Sequence, residues 1–135
     1  MKEKFGNVKI KNEHWGMKYG FSKKSLEVLG TVEMELRVLM KEALKTSMVD
    51  FAVTEGYRSL ARQQELYRRG RDGKGGKIVT YKDGERSRSK HQDRKAVDIV
   101  PYVDGRYDWG DIKSYQYLVK HILDTAYKLK IKNRS

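Results

Sequence analysis

Residues 114–128 place apolar side chains along one face of a helix, and this stripe most constrains how the chain folds. The stripe consists of Tyr115, Leu118, Val119, Ile122, Leu123 and Ala126. A helix with one apolar face must bury that face against another element. Residues 32–45 repeat the pattern, so the sequence predicts two amphipathic helices packed on a single core.

Shorter apolar segments and turn signals predict the other elements. They are strands at 50–54, 77–81 and 96–100, a hairpin with an Asp-Gly turn at 103–107, and a helix at 59–69 capped by Ser59 and ended by Gly70. The pattern predicts an α+β fold, with helices packed on a small, mostly antiparallel sheet. With 135 residues the chain has room for one domain, which we assign to 23–135, after an irregular arm at 1–22.

Composition restricts the partners and the chemistry. The formal net charge is +12, which concentrates polyanions such as nucleic acid, an anionic cell wall or a membrane surface. The chain has no cysteine, so a metal site must use His, Asp, Glu or water. No apolar run is long enough for a membrane span, and residues 1–6 lack the apolar core of a signal peptide. These features predict synthesis in the cytosol.

His91 and Asp98 have the surroundings that best suit a metal site. His91 lies in a polar segment before the strand at 96–100, and Asp98 is expected in the middle of that strand. A carboxylate among apolar neighbours needs a partner if it is buried. A divalent metal is one such partner and an Arg is another, and from spacing alone the metal is the less frequent outcome.

Arg58 directly follows the first predicted strand and its Glu-Gly-Tyr extension. A guanidinium at this point is suited to clamp a carboxylate or to stabilise an oxyanion. The alternative is a structural salt bridge with Asp98 or Glu55, which the sequence alone favours.

Other polar residues have simpler interpretations. Gln63 and Gln64 are expected on the surface of the helix at 59–69, His121 beside the apolar face of the last helix, and His14 in the arm. The Gly-rich basic segment at 70–88 is either a solvated loop or an electrostatic rim for an anionic polymer. Its spacing matches no nucleic-acid-binding signature.

Three blocks of the sequence follow one another in the order typical of a known family. They are residues 51–59 with Arg62-Gln63-Gln64 and Leu66-Tyr67, residues 76–80, and Ser89-Lys90-His91 with Ala96-Val97-Asp98 and Pro101. Over roughly residues 20–130 this combination resembles the zinc peptidases of peptidoglycan. That family includes D-Ala-D-Ala carboxypeptidases of the VanY/VanX kind and bacteriophage L-alanyl-D-glutamate endopeptidases.

The resemblance implies a function and a set of site residues. His91 and Asp98 would be zinc ligands, with the metal site at the edge of the sheet. Arg58 would stabilise the transition state, and Ser89 and Gln64 would contact the substrate, Ser89 also orienting the metal loop. In this family zinc polarises an amide carbonyl and activates water, while a glutamate transfers the proton. The substrate would be a peptidoglycan stem peptide, cut at an L-Ala-D-Glu or D-Ala-D-Ala bond by an endolysin-like enzyme.

The sequence departs from the family in two places. Arg94 stands where the family often has Gly between the metal His and Asp, which suggests a different course for this loop. The sequence also stops before the segment in which the family keeps its catalytic acid and its third ligand, a His. Three explanations are open: an inactive relative, recruitment of Glu13 and His14 from the arm, or residues supplied by a neighbouring molecule.

Two other functions compete with the peptidase. One is a wall-binding relative of the same fold that lacks catalysis, and the other is a basic nucleic-acid-binding domain. The sequence makes no prediction about oligomeric state.

Overall fold

The computed structural model describes residues 19–131, where four helices surround a three-stranded sheet. The elements are α1 (Lys23–Leu29), α2 (Met34–Thr46), β1 (Phe51–Glu55), α3 (Leu60–Arg68), β2 (Asp98–Val103), β3 (Arg106–Tyr107) and α4 (Ile112–Lys128). The strands lie in the order β1-β2-β3, and both neighbouring pairs are antiparallel. The predicted α+β class and the small antiparallel sheet are confirmed.

The core forms where α2 packs against α4 and where α1 packs against β1. Its buried members are Leu29, Val32, Leu39, Met40, Ala43, Leu44, Phe51, Val53, Leu118 and Ala126. The predicted apolar stripe of α4 divides into two parts. Leu118 is fully buried, whereas Val119 and Leu123 are 55% and 50% exposed. Only part of the stripe therefore belongs to the core.

Strand β2 differs from its predicted form at both ends. It begins at Asp98, so this residue opens the strand and does not lie in its middle, and it continues through Pro101 to Val103. The Pro101 carbonyl accepts a hydrogen bond from the Asp108 amide, while the Tyr102 amide donates to the backbone carbonyl of Asp50. The backbone polar groups of Pro101 thus face away from β1, where a missing N–H removes no bond of the β1–β2 ladder.

Local sequence signals correctly predicted several turns. Ser59 caps α3 by accepting a hydrogen bond from the Arg62 amide at 3.1 Å. Asp104 and Gly105 form the hairpin turn with φ of 52° and 81°, the left-handed geometry that Asp-Gly favours.

Other predictions were wrong or fall outside the described residues. Residues 77–81 form no strand and belong to a long loop, and α1 was not predicted. Of the predicted arm, residues 19–22 are described and precede α1. Among residues 19–131, none of the four helices combines the length and the apolar character of a membrane span.

Candidate functional site

His91 and Asp98 meet where the β1–β2 pair begins to separate. Their Nε2 and Oδ1 atoms lie 3.2 Å apart, and the Asp98 side chain is 48% exposed. The other ring nitrogen of His91, Nδ1, lies 2.8 Å from the carbonyl oxygen of Gly56, just after β1. The pair predicted from the sequence is therefore brought together by the structure, at an end of the sheet accessible to solvent.

The hydrogen bonds of His91 determine which proton its ring carries. The Gly56 carbonyl can only accept, so Nδ1 carries a hydrogen. In a neutral ring, the lone pair of Nε2 then faces the Asp98 carboxylate. Two facing lone pairs are favourable only with a proton or a metal cation between them.

The pKa values of this pair follow from its geometry. Burial lowers the pKa of His91, but the hydrogen bonds to Asp98 and to the Gly56 carbonyl outweigh it, so the net pKa is raised. For Asp98, burial raises the pKa, and the contacts with His91 and Arg58 outweigh it in the opposite direction, so the net pKa is lowered. Both shifts favour the charged forms.

Arg58 connects the site to β1 and α3. Its guanidinium donates to Glu55 at 2.7 Å, to Gln63 at 2.9 Å and to Asp98 at 3.4 Å. The side chain is 9% exposed, and its buried Nε has no partner among the described residues. The salt-bridge interpretation is thus the one observed, with Glu55 and Asp98 both as partners, and this fixes the Asp98 carboxylate beside His91.

A tight turn at 89–92 orients His91. The Ser89 hydroxyl accepts a hydrogen bond from the His91 amide at 3.2 Å, and the Ser89 amide donates to the Gln92 side chain at 2.9 Å. The His91 carbonyl accepts from the Arg58 amide at 3.0 Å. Ser89 is 7% exposed, so in this structure it supports the loop that carries His91.

Arg94 takes the backbone conformation that glycine would take. Its φ is 64°, in the left-handed region, and its guanidinium donates to the Thr31 carbonyl at 2.9 Å and lies 4.2 Å from the centre of the Tyr57 ring. The Arg94 carbonyl accepts from the Glu33 amide at 3.0 Å. These side-chain contacts hold Arg94 in the strained conformation, and the different loop course expected for this departure stays a prediction.

Two residues near the site were not recognised as such from the sequence. Gln63, expected on the helix surface, is fully buried and donates to the Lys82 carbonyl at 2.7 Å while it holds Arg58. Tyr115 donates to the Ile99 carbonyl at 3.3 Å, and burial together with the nearby carboxylates of Asp98 and Asp108 raises its pKa. No local pattern marked Gln63 for burial, because Leu60, one turn before it, is 42% exposed.

The remaining predicted site residues lie elsewhere. Gln64 follows Gln63 on α3, but its side-chain amide points to the surface, where it donates a hydrogen bond to the Glu85 carboxylate at 3.3 Å. Glu13 and His14 lie outside the described residues. His121 contacts the Ala43 carbonyl at 2.9 Å, between α4 and α2. Within residues 19–131, no group of three His, Asp or Glu side chains is arranged to hold a metal ion.

Comparisons with known proteins agree on one family. The phage L-alanyl-D-glutamate peptidase family matches residues 17–135. The L-alanyl-D-glutamate peptidase of Escherichia phage T5 is 31% identical over 118 residues, which cover 87% of this chain and 80% of that protein. The peptidoglycan L-alanyl-D-glutamate endopeptidase CwlK of Bacillus subtilis is 39% identical over 71 residues, covering 52% of this chain and 41% of that protein.

A solved structure shares the fold. The crystal structure of the Serratia marcescens L-Ala D-Glu endopeptidase ChiX matches with a TM-score of 0.64 and 28% identity, over 90% of this chain and 80% of that one. The resemblance read from the sequence blocks is confirmed. The chain belongs to the phage L-alanyl-D-glutamate peptidase family.

Proposed function

We propose that the chain hydrolyses the L-alanyl-D-glutamate bond of peptidoglycan stem peptides, with a zinc ion held by His91 and Asp98. Family membership supports the reaction and the substrate, since the relatives are named for this bond. The observation that carries the site is the convergence of His91 Nε2 and Asp98 Oδ1 at 3.2 Å.

The donor pair fits a zinc ion. An imidazole nitrogen and a carboxylate oxygen are donors that zinc accepts, and at 3.2 Å from each other they would both be able to bind one ion. The Gly56 carbonyl holds the His91 ring through Nδ1, as the outer partners of metal-binding histidines do. When bound, zinc supplies a Lewis acid for the scissile carbonyl.

A third ligand and a proton acceptor must come from outside residues 19–131. Catalytic zinc sites use three protein ligands, and the described residues provide two. His14 is the candidate ligand in this chain, and Glu13 is the candidate general base. His14 is five positions before Tyr19, so the Cα atoms of the two residues can be at most about 17 Å apart.

The remaining roles follow from the contacts of each side chain. Arg58 holds Asp98 in place, and its positive charge stabilises the oxyanion formed when water adds to the carbonyl carbon. Ser89 holds the turn of His91, and Gln64 is the candidate substrate contact on α3. The water oxygen becomes part of the alanine carboxylate, the C–N bond breaks, and the glutamate nitrogen leaves as an amine.

Product analysis tests the reaction. Purified peptidoglycan is incubated with the protein, and the soluble fragments are separated and identified by mass spectrometry. We expect new free amines on D-glutamate and new carboxyl groups on L-alanine. Cleavage at a different bond, or no cleavage by zinc-loaded protein, would overturn the proposed activity and favour a wall-binding relative.

Zinc stoichiometry tests the ligands independently of activity. We expect about one zinc per chain in the wild type, and weaker binding after His91→Ala or His14→Ala. His121→Gln serves as the matched control, because His121 lies between α2 and α4. Glu13→Gln should keep zinc and lose hydrolysis. Unchanged zinc affinity in His14→Ala would remove that residue from the site.

A further inference from the structure

Residues 68–95 carry more than half of the net charge of the chain. This segment has eleven Lys and Arg and four Asp and Glu residues, a net charge of +7 against +12 for the whole sequence. All eleven basic side chains belong to exposed residues. Among the described residues, the charged side-chain groups of Lys74, Lys77, Lys82 and Arg86 form no ion pair with a carboxylate within 4 Å. We call residues 68–95 the basic rim.

The basic rim has a fixed course although most of it has no regular secondary structure. Arg71 donates to the Thr80 carbonyl at 3.0 Å and stacks on the Tyr67 ring at 3.9 Å. Buried Gln63 donates to the Lys82 carbonyl at 2.7 Å. Asp83 accepts from the backbone amides of residues 85–87. A surface ordered in this way loses little conformational entropy when it binds.

The candidate site lies at the C-terminal end of the basic rim. The Gln92 side chain donates to the Gly84 carbonyl at 3.0 Å, and Gln92 directly follows His91. Gly84 itself is packed against α3, where an added Cβ would lie 2.9 Å from a methyl group of Leu60. The loop around Gly84 is therefore held beside both α3 and the turn that carries His91.

We infer that the basic rim binds carboxylates of the peptidoglycan mesh outside the scissile peptide, and so holds the protein on its polymeric substrate. This inference rests on the proposed function. A polymer with a glutamate in every stem peptide offers repeated carboxylates, and exposed Lys and Arg side chains pair with such groups. Many weak contacts of this kind give strong attachment when they act together.

The test removes charge from the rim without touching the site. The rim variant carries Lys74→Gln, Lys77→Gln and Lys82→Gln, and the control carries Lys24→Gln, Lys41→Gln and Lys128→Gln. All six lysines belong to exposed residues, and both variants lose the same charge. A Lys→Arg version of the rim variant tests rescue. Each is also made with His91→Ala, so that binding to purified sacculi is measured by sedimentation without cleavage.

We expect the rim variant to bind sacculi about tenfold more weakly at low salt, since each exposed pair contributes a modest factor. The control and the Lys→Arg variant should bind like the parent protein. In the active background, kcat/KM should fall on sacculi and stay unchanged on a short soluble muropeptide. Equal binding by the rim variant and the control would overturn the inference.

Two further experiments identify the anion that the basic rim binds. Amidation of the sacculus carboxylates should abolish the difference between parent and rim variant, whereas removal of phosphodiester polymers with hydrofluoric acid should leave it intact. The reverse result would overturn the assignment to carboxylates. Tighter lysine-dependent binding to duplex DNA than to sacculi would overturn the choice of partner. Lysine-dependent sacculus binding without any cleavage would contradict the proposed hydrolysis and not the binding surface.

Discussion

At the scale of single residues, the site depends on positions that are strained or tightly packed. Arg94 has φ of 64° and is kept there by contacts with Thr31 and Tyr57. Gly56 has no room for a side chain, because a Cβ would lie 2.5 Å from the Thr31 hydroxyl oxygen. Both positions are adjacent to the backbone that orients His91.

Replacing Arg94 separates strain from side-chain contacts. Arg94→Gly loses the contacts and relieves the left-handed strain, whereas Arg94→Ala loses the contacts and keeps the strain. We expect the Ala variant to be about 1 kcal/mol less stable than the Gly variant, measured by urea denaturation. At Lys95 the same two substitutions should show no advantage for Gly. An Ala variant as stable as the Gly variant at position 94 would show that the strain is absent.

Gly56→Ala should disturb His91 through the backbone. The added methyl group must displace Thr31 or Val32, and the Gly56 carbonyl that holds the His91 ring moves with them. We expect a loss of about 1–3 kcal/mol in the free energy of unfolding, together with weaker zinc binding. Gly20→Ala is the control, because a Cβ there meets nothing within 4 Å. Unchanged stability and zinc affinity would contradict this account of the close contact.

At the scale of elements, prediction from the sequence succeeded where the signal is local. The cap at Ser59 and the turn at Asp104 and Gly105 depend on neighbouring residues alone. The burial of Gln63 depends on a loop nearly twenty positions later that folds back over α3. Pro101 is tolerated within β2 because its carbonyl bonds the Asp108 amide, on the side of the strand that faces away from β1. Long-range contacts of this kind leave little trace in a local pattern.

The divided stripe of α4 gives a prediction about stability. Leu118→Ala should cost about 2–5 kcal/mol, because it opens a cavity in the core. Leu123→Ala removes the same atoms from a half-exposed position and should cost no more than about 0.5–1 kcal/mol. Chemical denaturation of the two variants measures the difference. Similar losses would mean that another surface covers Leu123 in solution.

At the scale of the whole molecule, the charge of +12 opposes compaction. Like charges across the surface repel one another, and this repulsion is screened as ionic strength rises. The basic rim concentrates the effect in one region. The sequence predicts an attraction for polyanions from the net charge alone, while the position of the rim at the site required the folded structure.

Salt should therefore stabilise the protein. We expect the thermal midpoint to rise between 20 and about 300 mM sodium chloride as repulsion is screened. The rim variant, with three fewer positive charges, should start from a higher midpoint and gain less. A midpoint that falls with salt would show that ion pairs such as the one between Arg58 and Glu55 outweigh the repulsion.

The pairing of β1 with β2 has a consequence for folding kinetics. Phe51 lies opposite Pro101, about fifty positions later, so the central ladder closes only after α3 and the basic rim are enclosed in one large loop. Closing such a loop costs entropy before any ladder contact forms, and chains with this topology fold more slowly than helical bundles. His91 and Asp98 acquire their environment only at that closure, because Gly56 and Arg58 follow β1 while Asp98 opens β2. During synthesis the site therefore assembles late, after β2 has left the ribosome.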